Sequence, residues 1–148
     1  MAGSRLTPFE DDLDKDHKTD NQVVGNAGLF LVCYELSKRG WNVLPTSRNA
    51  RGIDVVIYDR EAKRRHTIQV KALSKRNPVP MGNKKENLLA DYLVICRRVL
   101  EATPEIFVTT IDEIRGKIHE VGKEGEHSYW LEPKEYESFK GGWDKIGS

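Results

Sequence analysis

Three side chains in one short stretch have the types and spacing to do chemistry together: Asp54, Gln69 and Lys71. They lie in two apolar segments, Ile53 to Tyr58 and Thr67 to Leu73, joined by a charged turn. An acid is depleted inside strands, so Asp54 calls for a reason. Side chains alternate across a strand. Ile68, Val70 and Ala72 therefore point one way, and Gln69 and Lys71 the other. In the first segment, Ile53, Val55 and Ile57 are expected on one face and Asp54 on the opposite one. Paired as a hairpin through Asp59 to Arg65, the two strands bring Asp54 towards Gln69. A carboxylate, an amide oxygen and an ammonium so grouped suit a hard divalent cation and a phosphate. Mg²⁺ takes oxygen ligands, often one or two carboxylates with waters and phosphate oxygens. Lys71 could orient a water or stabilise charge developing on a phosphate, and the ion itself acidifies water. Gln69 contributes no charge, so metal binding without substrate is expected to be weak.

The elements that must hold these groups can be read in outline. A helix is expected after Asp20 or Asn21, both good N-caps, ending near Gly40 behind Lys38-Arg39. Its residues Leu29, Val32, Cys33 and Leu36 share one face. Gly25 and Gly28 weaken its first half, which suggests close packing there. Strands follow at Trp41 to Leu44 and in the two site segments. Ser74 to Ala90 reads as a loop with one helical turn near Glu86 to Leu89. Further strands are expected at Asp91 to Val99 and Glu105 to Thr110. Thr110 and Glu113 form a capping box for a short helix, Ile111 to His119. A turn at Gly122 to Gly125, a short strand at Tyr129 to Leu131 and a helix from Pro133 to Phe139 complete the order. Trp143 and Ile146 are expected to dock back on the core. This order indicates an α/β fold with a mixed sheet. Residues 1–19 are expected to form a disordered acidic tail and residues 20–148 a single domain.

Charge is unevenly spread. Leu36 to Lys85 carries 13 Lys/Arg against 3 Asp/Glu, whereas the segments before and after it are net negative and the chain as a whole is +1. The positive charge is concentrated around the two site strands, which points to a polyanion such as nucleic acid. Arg48 and Arg51 before the Asp54 strand, and Lys75, Arg76, Lys84 and Lys85 after the Lys71 strand, are the candidates for phosphate contacts. Arg60, Lys63, Arg64, Arg65 and His66 occupy the turn between the strands and are expected at the far end from the site. The four histidines lack metal-ligand spacing. Cys33 and Cys96 read as separate reduced thiols. With no long apolar run and no secretory leader, a cytoplasmic protein away from membranes is expected.

The order of these motifs, a helix GNAGLFLVCYELSKRGW, then NVLPT, RGIDVVI and TIQVKAL, resembles the PD-(D/E)xK nuclease superfamily. The Gln-x-Lys form is similar to that of the Mrr-like restriction nucleases. The resemblance covers roughly Gln22 to Leu73. It implies a restriction-endonuclease-like α-β-β-β-α-β core with a central mixed sheet. It also implies Mg²⁺- or Mn²⁺-dependent hydrolysis of phosphodiester bonds, with DNA as the expected substrate and a homodimer as a possible assembly. Asp54 would be a metal ligand, Gln69 the second ligand position, the Val70 carbonyl a further ligand, and Lys71 the catalytic lysine. One departure is visible: many relatives carry Gly-Glu in the first helix, where this chain has Gly28-Leu29. Glu35 lies about 240° further round the helix and is expected to pair with Lys38 or Arg39 instead. That departure leaves a second reading open, a nuclease-fold protein that binds nucleic acid or a protein partner without cutting.

Overall fold

Helix α1, His17–Lys38, is built on the spacing of Val24, Gly28, Val32 and Leu36, all buried. Residues four apart stack along one side of a helix, and this stripe lies on the central sheet. The helix starts a turn before Asp20–Asn21, since cap preference ranks residues without fixing the boundary. It stops where expected. Gly40 adopts φ +96°, and the Trp41 N–H donates to the Leu36 carbonyl across it at 3.1 Å, the six-to-one bond of a glycine-terminated helix. The computed structural model describes residues 17–47, 52–123 and 126–147; the acidic tail expected at residues 1–19 falls largely outside them.

Strands β1 (Asn42–Pro45), β2 (Val55–Tyr58) and β3 (Arg65–Leu73) form an antiparallel meander. The chain then crosses through β4 (Val79–Pro80) and a single 3-10 turn, Lys85–Asn87, to β5 (Tyr92–Arg97), which pairs parallel to β3. Strand β6 (Glu105–Thr110) closes the sheet antiparallel to β5, giving the order β1-β2-β3-β5-β6. All six residues of β5 are buried, as expected for a strand covered on both faces.

One face of the sheet, with Val55, Ile57, Ile68, Tyr92, Val94, Cys96 and Val108, packs on α1 and on Ile146 and Trp143 from the C-terminus. The other face, with Leu93, Ile95 and Phe107, packs on Val79, Met81, Ile111, Ile114, Leu131 and Tyr136. Apart from Met81, which follows β4, these residues belong to helix α2 (Ile111–Arg115), helix α3 (Pro133–Tyr136) and a second sheet of β4, β8 (Glu126–Leu131) and β7 (His119–Lys123). The result is a layered mixed α/β fold with its central sheet in the middle.

The Thr110–Glu113 capping box forms, with the Glu113 N–H donating to Thr110 Oγ1 at 3.0 Å. Helix α2 ends at Arg115, a turn short of the His119 expected, because Gly116 follows and glycine is a poor helix former. His119 instead opens β7. That strand gave no sequence signal: its one large apolar side chain, Val121, is 61% exposed. Cys33 and Cys96 are free thiols, and burial pushes Cys96 up to about 12. Among the described residues, no helix is long and apolar enough to cross a membrane.

The two helix glycines differ. A Cβ at Gly28 would lie 2.5 Å from the Cβ of Ala72, whereas a Cβ at Gly25 would meet nothing. Close packing was expected at both and is found at Gly28 alone. Gly28→Val is expected to lose about 2–3 kcal/mol by forcing α1 off β3. Gly25→Ala is expected to gain up to about 1 kcal/mol from helix propensity. Urea denaturation of the two variants beside the wild type checks both signs.

Candidate functional site

The site is assembled where β2 ends and β3 runs on. The Asp54 N–H donates to the Ile68 carbonyl at 2.9 Å, the last main-chain bond of this pair on that side. One step further along, the Val70 N–H donates to Asp54 Oδ2 at 2.7 Å. The carboxylate thus takes over from the backbone, and Asp54 brackets Gln69 with a bond on either side of it. Ile53 does not share the face of Val55 and Ile57 as alternation predicts. It precedes the strand and packs into the opposite cluster with Leu73, because alternation holds only where the chain is paired and extended.

Ile68, Val70 and Ala72 face α1, so Gln69 and Lys71 project from the other side of β3. Gln69 is 9% exposed, and its Oε1 has no hydrogen-bond partner. Buried polar atoms are nearly always paired, so this unpaired amide oxygen calls for a ligand. Burial pushes the Lys71 ammonium below the usual lysine range, and the Asp54 charge opposes part of that shift. Lys71 opens into a cleft of about 370 Å³ lined also by Asn21 and Val24 of α1 and by Leu73, Ser74, Asn77 and Pro80. In an extended strand the N–H and C=O of one residue point the same way, so the Val70 carbonyl is directed to the Asp54 side.

No protein-family model matches the chain, and no curated protein matches it. Its fold is similar to that of a bacterial homing endonuclease. The two structures align with a TM-score of 0.58 over 84% of this chain and 89% of the other, at 18% sequence identity. The likeness is one of architecture: a nuclease-like α/β fold around a central five-stranded mixed sheet.

Around this sheet the remaining expected residues fall as follows. Arg48 and Arg51 lie outside the described residues. Lys75 and Lys84 are exposed. Arg76 is engaged in an ion pair with Glu137 at 2.7 Å, which raises its own pKa. Lys85 lies 3.7 Å from Glu120 and 5.4 Å from the centre of the Tyr129 ring. The β2–β3 turn sits at the far end of the hairpin from Asp54, with Tyr58 opposite Arg65. Leu29 is half-buried among the core residues beneath α1, an apolar side chain at the position where the sequence resemblance would place a helix acid. Glu35 pairs with Arg39 at 2.6 Å and with Lys38 at 3.1 Å.

Two features of the cleft had no sequence signal. Asn21 reads from sequence as a cap, yet it lines the same cleft as Lys71. The Ser74–Asn77 wall is fastened from the far end of the chain: Tyr136 donates to the Asn77 carbonyl at 3.1 Å, next to the Arg76–Glu137 pair. Arg97 lies behind this wall, bonded to Glu105 and to Glu137 at 2.9 Å each. A larger depression, about 720 Å³ beside Lys84, Glu86, His127 and Tyr129, contains none of the three site side chains.

Among the described residues no three His, Cys, Asp or Glu side chains are grouped to hold a metal. The available donors are one carboxylate, one amide oxygen and one main-chain carbonyl. All are hard oxygens, and together they carry a single negative charge. That set fits Mg²⁺ or Mn²⁺ bound weakly with other ligands completing the shell.

Proposed function

We propose that the chain is a metal-dependent endonuclease of the PD-(D/E)xK type, in its Mrr-related Gln-x-Lys form, acting on nucleic acid and on DNA in the first place. The observation that carries this reading is the buried, unpaired Gln69 oxygen on β3, with Lys71 on the same face of that strand and the Asp54 carboxylate bonded to the Val70 N–H between them. The likeness to a homing endonuclease supports it at the level of fold.

Asp54, Gln69 and the Val70 carbonyl would hold Mg²⁺ or Mn²⁺. When bound, the ion supplies charge neutralisation at a phosphate and a more acidic water. Lys71 faces the cleft with its ammonium poorly solvated. A lysine shifted downwards can accept a hydrogen bond, or a proton, from an attacking water more readily than an exposed one. Asn21, Ser74 and Asn77 supply neutral hydrogen-bonding groups along the cleft, suited to orienting a sugar-phosphate backbone. Lys75, next to the lining residue Ser74, would be the exposed phosphate contact. The unpaired thiols Cys33 and Cys96 suit a reducing compartment, the cytoplasm. One site per chain cuts one strand, so breaking both strands of a duplex calls for a homodimer or for two visits.

Leu29 in the core and the neutral Gln69 favour one further reading, binding without cutting. Labelled duplex DNA, single-stranded DNA and RNA incubated with Mg²⁺, Mn²⁺ or EDTA separate the two. Cleavage with either metal and none in EDTA is expected; intact substrate that is nonetheless shifted in a gel would select the second reading. Gln69→Glu adds a second carboxylate to the site. It is expected to lower the Mg²⁺ concentration for half-maximal cleavage by about tenfold. An unchanged metal requirement would remove Gln69 from the ligand set.

A further inference from the structure

We infer that Thr46 and Gly52 are the positioning residues that aim the Asp54 carboxylate, an inference that rests on the nuclease reading above. Asp54 precedes β2, so the strand ladder does not hold it beyond its bond to Ile68. The chain is fixed from two other directions. On one side, the Thr46 N–H donates to the Asp54 carbonyl at 2.9 Å, and Thr46 Oγ1 donates to the Ile53 carbonyl at 2.6 Å. Two consecutive carbonyls are thus held by one residue at the end of β1. On the other side, Gly52 adopts φ +65°, and a Cβ there would overlap the Asn87 carbonyl oxygen. Asn87 ends the 3-10 turn of the crossover between β3 and β5. The crossover therefore presses against the chain two residues before the acid, in a conformation and a space that only glycine accepts.

The Ile53 side chain is anchored in the cluster below. With Gly52, Ile53 and both carbonyls held, the backbone of Asp54 is fixed, and from it the side chain reaches the Val70 N–H at 2.7 Å. Thr46 touches neither Gln69 nor Lys71 by hydrogen bond or ion pair, and it acts on the site through Asp54. Groups that orient a metal ligand are worth about 10- to 100-fold in metal affinity.

The Val70 amide gives a direct readout, since its acceptor is the Asp54 carboxylate itself. Thr46→Val keeps the shape and removes the hydroxyl donor, Thr46→Ser keeps the donor, and Gly52→Ala intrudes on Asn87. Amide exchange is followed by NMR for Val70, with the Ile68 and Val55 amides as references for the hairpin. In Thr46→Val and Gly52→Ala, Val70 exchange is expected to rise by about tenfold or more at unchanged references, with Thr46→Ser like the wild type. On labelled duplex DNA, half-saturating Mg²⁺ is expected to rise by a similar factor in the first two variants while the KM for DNA stays put. Unchanged Val70 exchange in both variants would overturn the inference. So would altered exchange with an unaltered Mg²⁺ requirement in an enzyme that cuts. If the wild type cuts no nucleic acid, the nuclease reading fails on its own. The Val70 amide, and its broadening by added Mn²⁺, then still decide whether Thr46 and Gly52 aim Asp54 at an ion: loss of both effects in Thr46→Val and Gly52→Ala supports the aim, and their persistence refutes it.

Discussion

Lys71→Met is expected to abolish cleavage while leaving a protein that melts at or above the wild-type temperature. The two halves of that result have one cause. Lys71 lies towards the end of β3 opposite Ile95, where burial works against its charge and Asp54 offsets only part of the cost. Methionine fills a similar volume without a charge to desolvate, so the fold is relieved while the site loses the Lys71 cation. Removing one preorganised group of this kind typically lowers kcat by about 10²–10³-fold, and conflict between function and stability is common at such positions. Single-turnover cleavage at saturating Mg²⁺, beside thermal melts of both proteins, checks the pair of outcomes. Residual cutting within tenfold of the wild type would take Lys71 out of the mechanism. The pH dependence carries a sign as well. The folded Lys71 pKa lies below the unfolded value, so the unfolded chain binds the proton more tightly. Wild-type stability therefore rises with pH from the folded pKa up to about 10.5, the ordinary lysine value. Lys71→Met lacks this rise.

Arg97→Met is expected to produce the largest loss of stability among surface-to-core charge changes in this chain, about 2–3 kcal/mol, or roughly 5–10 °C in Tm. The guanidinium is 8% exposed and pairs with Glu105 and Glu137 at 2.9 Å each, with its carbon 4.8 Å from the centre of the Phe107 ring. Taking it away leaves two partly covered carboxylates near an apolar ring. The loss stays below that of an isolated buried pair because other cations remain: Arg98 and Lys140 reach Glu105, and Arg76 reaches Glu137. Acid titration tests the assignment. Hydrogen bonds from Arg97 hold Glu105 at about 2, and those from Arg76 and Arg97 do the same for Glu137. Folded values below the unfolded ones give stability that is full above about 4.5 and is lost as pH falls towards about 2. Melting temperatures between pH 5 and pH 2 are expected to fall steeply in the wild type. In Arg97→Met, whose carboxylates move back up, the fall is shallower. Parallel curves for the two proteins would mean that the acid limb belongs to other groups.

The sequence is legible where a residue breaks a local rule or completes a local pattern. Asp54, Gln69 and Lys71 stand out because strands rarely carry such side chains, and the alternation of β3 places the last two on one face without further information. The Thr110–Glu113 box and the Gly40 stop work over three or four residues. What stays illegible depends on partners far away in the chain. Gly25 and Gly28 look alike until Ala72 is brought against one of them. Arg76 reads as free for phosphate until Glu137, 61 residues later, is found beside it. Asn21 reads as a cap until the cleft forms around it. Strands β7 and β8 carry polar outer faces, and the apolar run Tyr129 to Leu131 betrays only the end of one of them. Ile53 is the instructive miss inside the site: it obeys the alternation on paper, but the chain there is clamped by Thr46 rather than paired to β3.

The cleft wall from Ser74 to Asn77 bridges two sheets, with Lys71 to Leu73 on one and Pro80 on the other. Part of what fastens it, the Arg76–Glu137 pair, lies at the surface with Arg76 52% exposed. Ionic strength therefore reaches this protein by two routes. On the proposed function, salt displaces it from a polyanion by restoring the counterions that basic side chains had released, and the same salt screens the pair that holds the wall in place. The slope of affinity against salt will accordingly exceed what the phosphate contacts alone give. Counting contacts from it requires the slope of Arg76→Gln to be measured alongside.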